Sequence, residues 1–193
     1  MKNSNSNKII FIFLHIEDQA ERTKVKNEIT HRFAPFYEEE RVALCHALGT
    51  GDNLFLSPYD SVVLLGSDAV HDSRVSLSED EVTLFLDTPQ QDVEKLVVIL
   101  SRLYPLVDIS FKSYEPYKHR ARELKINSGS IYFEETFNYN TIDYYEFIIE
   151  NDLKTIREFQ EILSVQSDQF KGEVKVFDEY IRRLNKEKRD FPA

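Results

Sequence analysis

Two carboxylates and an imidazole lie close together in the segment that follows the apolar residues 61–65: Asp68, His71 and Asp72. Oxygen and imidazole ligands suit Mn, Zn or Fe, so this trio is a candidate site for a divalent metal. The apolar residues favour a strand, and loops after strands are where α/β proteins place functional groups. The spacing matches no established metal motif, and Asp is also a common turn residue. A metal site and an ordinary turn therefore both remain open.

Residues 111–130 form a basic segment, with five Lys or Arg against two Asp or Glu. Arg beside an aromatic ring can hold a phosphate and stack on a base. The candidate ligands for an anion or nucleotide are Tyr114, Tyr117, Lys118, His119, Arg120 and Arg122. Short basic runs are also common on solvated helices that pair with acidic neighbours. In a helix, Lys118, Arg122 and Lys125 would share a face.

Residues 131–170 combine nine Asp or Glu with several aromatic residues. Aromatic side chains supply much of the binding energy of protein interfaces, and surrounding charge steers a partner of opposite sign. The candidate partner-binding residues are Glu134, Glu135, Tyr139, Asp143, Tyr144 and Glu146. Core aromatics beneath an ordinary solvated surface would require the same residue types, so that interpretation is also open.

The whole chain is acidic, with 34 Asp or Glu against 24 Lys or Arg and a net charge of −10. Binding to nucleic acid depends on basic groups that neutralise phosphates and release counterions. The charge balance therefore argues against nucleic acid as a partner and favours a basic protein.

Apolar runs predict the strands, and apolar residues spaced three and four apart predict the helices. In chain order, the predicted elements are a strand at 8–16, a helix at 17–33, strands at 61–65 and 81–86, a helix at 90–104 and a strand at 107–111. Val75 and Leu77 are predicted to lie on an additional edge strand. Thr88 and Pro89 are expected to begin the helix at 90–104 as cap and first residue. This order indicates an α+β protein with a ferredoxin-like βαββαβ core, in which helices cover one face of an antiparallel sheet. The alternative is a doubly wound α/β sheet.

The C-terminal part is predicted to extend that core. A strand at 130–137 is followed by helices at 142–163 and 174–184. We therefore expect a core at 8–126 and a C-terminal strand with helices at 127–190, packed on the same core as one domain overall. The length of 193 residues is sufficient for one self-supporting core.

Familiar catalytic signatures are missing from the sequence, including the Walker A loop, GxGxxG, GxSxG, HExxH, paired CxxC and the EF-hand loop. Cys45 is the single cysteine, which excludes an internal disulfide. The apolar run at 9–14 is too short to cross a membrane. These features predict a cytoplasmic protein without a membrane partner.

The function predicted from these features is an acidic module that acts by contact, such as an immunity protein, antitoxin or inhibitor of a basic partner, with no cofactor. The alternative is a metal-dependent enzyme acting on a phosphorylated or nucleotide substrate, with the trio at 68–72 holding a divalent metal and the basic segment holding phosphate. A homo-oligomer is a third possibility.

Overall fold

The computed structural model describes residues 5–33, 72–88, 93–165 and 171–190. Within them lie six strands and five helices, so the protein belongs to the mixed α+β class. The strands are β1 (Asn5–Ile12), β2 (Asp72–Leu77), β3 (Glu81–Thr88), β4 (Asp108–Glu115), β5 (Arg120–Asn127) and β6 (Ser130–Phe137). The helices are α1 (Gln19–Arg32), α2 (Glu94–Leu103), α3 (Ile142–Glu150), α4 (Ile156–Val165) and α5 (Lys171–Asp190).

All six strands join one sheet in the order β2-β3-β1-β4-β5-β6. Each of the five pairings is antiparallel. The doubly wound alternative is therefore wrong, because that fold requires a mostly parallel sheet. Val75 and Leu77 do lie on an edge strand, as predicted. The predicted strand at 61–65 lies outside the described residues.

One face of the sheet carries the larger apolar cluster. Side chains alternate between the two faces of a strand, and Ile9 and Phe11 of β1 are fully buried on this face. Neighbouring strands contribute apolar residues at matching positions: Val82, Leu84, Leu86, Ile109, Phe111, Leu124 and Ile126. Helix α2 adds Leu96, Val97 and Leu100, which recur at helical spacing.

A second apolar cluster joins the opposite face through Tyr114 of β4 and Ala121 of β5, which are cross-strand partners. Helices α3, α4 and α5 complete this second cluster with Tyr144, Tyr145, Ile148, Phe159, Leu163, Phe177 and Tyr180. The first cluster also contains residues of α1 and α2, so helices cover both faces of the sheet. Helices α1 and α2, which belong to the predicted core, contribute to the same cluster, and the C-terminal helices cover the other face.

The predicted start of α2 is wrong. Thr88 does not cap α2 but ends β3, where its buried hydroxyl accepts a hydrogen bond from Asn7 Nδ2 at 3.1 Å. Helix α2 begins at Glu94 after Val93. Helix α1 starts close to its predicted position because Asp18 accepts a hydrogen bond from the Glu21 backbone N–H at 2.8 Å and caps it.

The predicted helix at 142–163 is two helices. Asp152 has a left-handed backbone with φ of 57°, which interrupts the first helix after Glu150. A capping box then starts the second helix: the Thr155 backbone N–H donates to Glu158 Oε2 at 2.7 Å, and the Glu158 N–H donates to Thr155 Oγ1 at 3.2 Å. This break allows α3 and α4 to pack on the same aromatic cluster.

Two glycines are expected to respond to alanine with opposite signs. Gly129 has φ of 80° in the two-residue turn between β5 and β6, and an added Cβ would clash with the Arg102 side chain. Gly129→Ala should therefore lower the free energy of unfolding by about 1–2 kcal/mol. Gly172 lies in the first turn of α5, where the nearest atom to an added Cβ is 3.9 Å away. Gly172→Ala should raise stability by about 0.5 kcal/mol. Urea unfolding measures both, and equal signs would contradict the prediction.

Candidate functional site: a tyrosine pocket and an acidic groove

The predicted metal trio falls almost entirely outside the described residues. Asp68 and His71 are not described, and Asp72 is the first residue of β2, opposite Asp87. Among the described residues, no group of three or more His, Cys, Asp or Glu is placed to hold a metal ion. The metal site therefore stays a prediction.

The basic segment is not helical. It forms the end of β4, a short 3₁₀ turn at Pro116–Lys118 and strand β5. His119 adopts a left-handed backbone with φ of 49° between the turn and β5. Because β5 alternates its side chains, Arg120 and Arg122 lie on the opposite sheet face from Ala121 and its aromatic cluster.

The cations of this segment form ion pairs within the protein. Glu115 is only 1% exposed, and its carboxylate pairs with Arg120 and, at 2.6 Å, with Lys118. Arg122 is 4% exposed. It pairs with Glu94 of α2 and, at 3.7 Å, with Glu134 of β6. Lys118, Arg120 and Arg122 were predicted to bind an anionic ligand. In the structure, each of them has a carboxylate counterion within the protein.

The aromatic members of the same segment line a pocket. Tyr114, Tyr117 and His119 meet Tyr139 and Tyr144, which the sequence had assigned to partner binding. The remaining walls come from Pro116 and from α3, α4 and α5: Tyr145, Phe159, Ile162, Leu163 and Glu173. The cavity has a volume of about 140 Å³.

The rings of the pocket meet at steep angles. Tyr144 stands nearly perpendicular to Tyr139, at 5.5 Å between ring centroids and 88°, and to Tyr145, at 5.4 Å and 82°. Tyr145 meets Phe159 at 86°. The His119 ring lies 4.1 Å from the Tyr139 ring. Tyr144, Tyr145 and Phe159 are at most 3% exposed and pack against one another, whereas Tyr117 and Tyr139 are the exposed tyrosines of the pocket.

Four tyrosines of the pocket are kept neutral by burial. The Tyr145 hydroxyl also donates to Asn140 Oδ1 at 3.3 Å. Burial raises the pKa of Tyr114 to about 12, and the carboxylates of Glu173 and Glu158 add to that rise. The pKa values of Tyr139, Tyr144 and Tyr145 are also raised, chiefly by burial, so the pocket carries neutral phenols near a negative carboxylate.

A separate acidic groove lies between β6 and α3. Four carboxylates line it, those of Glu135, Asp143, Glu146 and Glu150, together with Asn138, Thr141 and Asn151. It is larger and more open than the pocket, with a volume of about 540 Å³. The groove therefore brings together Glu135, Asp143 and Glu146 of the six predicted partner-binding residues. Glu134 instead pairs with Arg122 on the other face of β6.

The negative charges in this groove repel each other. The pKa of Glu146 is raised by burial and by the carboxylates of Glu150, Asp143 and Glu187, whereas Arg183 acts in the opposite direction. Deprotonated Glu146 is thus less stable in the folded protein than in the unfolded chain. A cation placed in the groove would relieve part of this repulsion.

Sequence reasoning missed Glu173 as a member of the tyrosine pocket. Glu150 lies one turn after Glu146 on α3, so the helical spacing carried a signal for the groove. Glu173 comes from α5, and only the packing of α5 against α3 brings it to the pocket. No pattern in the sequence contained that information.

No protein-family model matches the sequence, and no curated protein matches it. Among solved structures, the chain is similar to the protein api92 from Yersinia pseudotuberculosis, of the family DUF1281, with 13% identity and a TM-score of 0.36. That likeness covers 49% of this chain and 36% of api92. Among the described residues, none of the helices has both the length and the apolar character needed to cross a membrane.

Proposed function

We propose that this protein is a contact-acting acidic module whose groove between β6 and α3 docks a basic protein, in the manner of an immunity protein, antitoxin or inhibitor. The observation that carries the proposal is the convergence of Glu135, Asp143, Glu146 and Glu150 on one groove. Carboxylates arranged in this way complement lysine and arginine side chains, and they increase the rate of encounter with a basic surface.

Exposed apolar residues next to the groove support a contact surface. Strand β6 is an edge strand, and its Ile131, Tyr132 and Phe133 are 40%, 60% and 37% exposed. An edge strand offers unpaired backbone groups, and exposed aromatic rings supply binding energy at interfaces. A partner on the groove would thus find apolar contacts along the adjoining strand.

The repulsion around Glu146 supports the same proposal. Burial and the neighbouring carboxylates raise the pKa of Glu146, which lowers the stability of the folded protein at neutral pH, since folding then favours the protonated form. Proteins often retain residues that lower folding stability where those residues are needed for binding. We therefore expect Glu146→Gln to weaken partner binding without lowering stability.

The test compares two variants with the same change in charge. The groove variant carries Glu135→Gln, Asp143→Asn, Glu146→Gln and Glu150→Gln. The control variant carries three Glu→Gln changes and one Asp→Asn change at exposed positions outside the groove: Glu17, Glu79, Asp178 and Glu179. Each tagged protein is used to capture partners from a cell extract, and the captured proteins are identified and quantified by mass spectrometry.

We expect the wild type and the control variant to retain a basic protein that the groove variant loses by about tenfold or more. The amount of captured protein should also fall as the salt concentration rises from about 50 mM to about 300 mM, because salt screens charges across the interface. Equal loss from both variants would mean that net charge alone attracts the protein, and equal retention would mean that the groove takes no part. Either outcome rejects the proposal.

We also propose a ferredoxin-like topology for the core and a cytoplasmic location for the protein. The order β2-β3-β1-β4, with α1 after β1 and α2 between β3 and β4, supports a ferredoxin-like core that continues into β5 and β6. The single cysteine supports a cytoplasmic location, since secreted domains of small size often carry disulfides. The metal-dependent enzyme and the homo-oligomer stay predictions, because no observation on the described residues favours them.

A further inference from the structure

The pocket between the 3₁₀ turn and helices α3–α5 has walls that suit one class of ligand. Five tyrosines and Phe159 are among its lining residues, and Glu173 contributes a carboxylate. The face of an aromatic ring carries partial negative charge, so several rings around one space attract a cation, and a nearby carboxylate strengthens that attraction. The volume of about 140 Å³ is close to the size that accommodates one benzene ring, or one compact alkylated ammonium group.

The charge around the pocket also favours a cation over an anion. The ionised side chains that act on Tyr114 are those of Glu173 and Glu158, and the one that acts on Tyr139 and Tyr145 is that of Glu173. The nearby Lys118 and Arg120 pair with the buried Glu115. His119 lies at the rim, against Tyr139.

The apolar character of the lining decides which cation fits. Most of the lining is aromatic or aliphatic, and it includes Phe159, Ile162 and Leu163. A primary ammonium must replace its bonds to water with three acceptors, whereas a fully methylated ammonium has no N–H and loses only the solvation of its charge. A mostly apolar lining therefore discriminates in favour of the methylated group.

We propose that this tyrosine pocket binds a methylated ammonium group, with the exposed rings of Tyr117 and Tyr139 against it and the Glu173 carboxylate as its counterion. The group belongs either to a free organic cation or to a methylated lysine of a protein. This site is separate from the acidic groove, and it does not depend on the function proposed for that groove.

The probes are choline and 3,3-dimethylbutan-1-ol, which have the same shape but differ in charge. Each is titrated into the full-length protein, and binding is followed by the NMR shifts of the tyrosine ring protons. We expect choline to bind about fivefold or more tightly than the neutral alcohol, which corresponds to one cation–ring interaction. A peptide with trimethyllysine, compared with its unmodified form, shows which source is preferred.

Two variants on the same helix locate the site. Glu173→Gln should weaken choline binding about fivefold or more, because it removes the counterion from the pocket. Glu179→Gln makes the same chemical change at an exposed position of α5 and should leave binding unchanged. Circular dichroism confirms that both variants are folded.

Three outcomes would overturn the proposal. Choline and the alcohol binding with equal affinity would show a purely apolar cavity. Both glutamate variants weakening choline equally would show a general effect of net charge. Failure of choline and of the trimethyllysine peptide to bind the wild type would show that the pocket takes no methylated ammonium group.

Discussion

Phe11→Ala is expected to lower the free energy of unfolding by about 3–5 kcal/mol, the usual cost of removing a buried phenylalanine. Phe11 is fully buried on β1, which lies between β3 and β4 in the sheet. Its ring centroid is 5.6 Å from that of Phe33, after α1, and 6.5 Å from that of Tyr104, after α2. The substitution would leave a cavity where two helices meet the sheet.

The matched control for this variant is Leu14→Ala. Leu14 lies three residues after Phe11 and is 57% exposed, so its truncation should change stability by less than about 0.5 kcal/mol. Urea unfolding followed by circular dichroism measures both variants. Similar losses for the two variants would show that the cluster around Phe11 is not the main stabilising core of the sheet.

The elements around Phe11 show what local patterns can predict. The apolar run of β1 and the alternation of β3 predicted two buried strands because a two-residue period and a continuous apolar run are both visible within a few residues. The regular spacing of Leu96, Val97 and Leu100 likewise predicted α2. The predicted start of α2 was wrong because Thr88 and Pro89 resemble the cap and first residue of a helix. In the structure, Thr88 pairs with Asn5 and extends β3. Such a pairing joins residues far apart in the chain.

The candidate sites illustrate the same limit. The sequence identified Tyr114, Tyr117 and His119 as possible ligands, and the structure places them together at one pocket. The sequence could not show that Glu115 is buried beside Lys118 and Arg120 and acts as their counterion. Likewise, Asp143 and Glu146 could be placed on one helix, but their meeting with Glu135 depends on how α3 packs against β6.

The two apolar clusters are joined through few residues of the sheet. Tyr114, Ala121 and the partly buried Phe137 connect the second cluster to β4, β5 and β6. The remaining members of that cluster come from α3, α4 and α5, apart from Leu153 between α3 and α4. Cooperative units of a protein often coincide with such separately packed groups of elements. The three helices should therefore be able to open while the sheet remains intact.

Tyr145→Ala tests that separation and is expected to destabilise the second cluster by about 3–5 kcal/mol. Tyr145 is 2% exposed, and its ring centroid is 5.3 Å from that of Phe159 on α4 and 5.2 Å from that of Phe177 on α5. Its removal should therefore loosen all three helices. The measurement is native-state amide hydrogen exchange, in which α4 and α5 should exchange about a hundredfold faster or more, since each 1.4 kcal/mol is a factor of about ten. Amides of β1 and β3 should keep their protection.

Tyr145→Phe is the control for this experiment, because it keeps the ring and removes only the hydrogen bond to Asn140 Oδ1. A neutral hydrogen bond of this kind contributes about 1 kcal/mol, so the helices should exchange no more than about tenfold faster than in the wild type. Were Tyr145→Ala to increase exchange equally in the helices and in β1, the two clusters would unfold as one unit. The pocket would then owe its rigidity to the whole sheet and not to the aromatic packing around Tyr145.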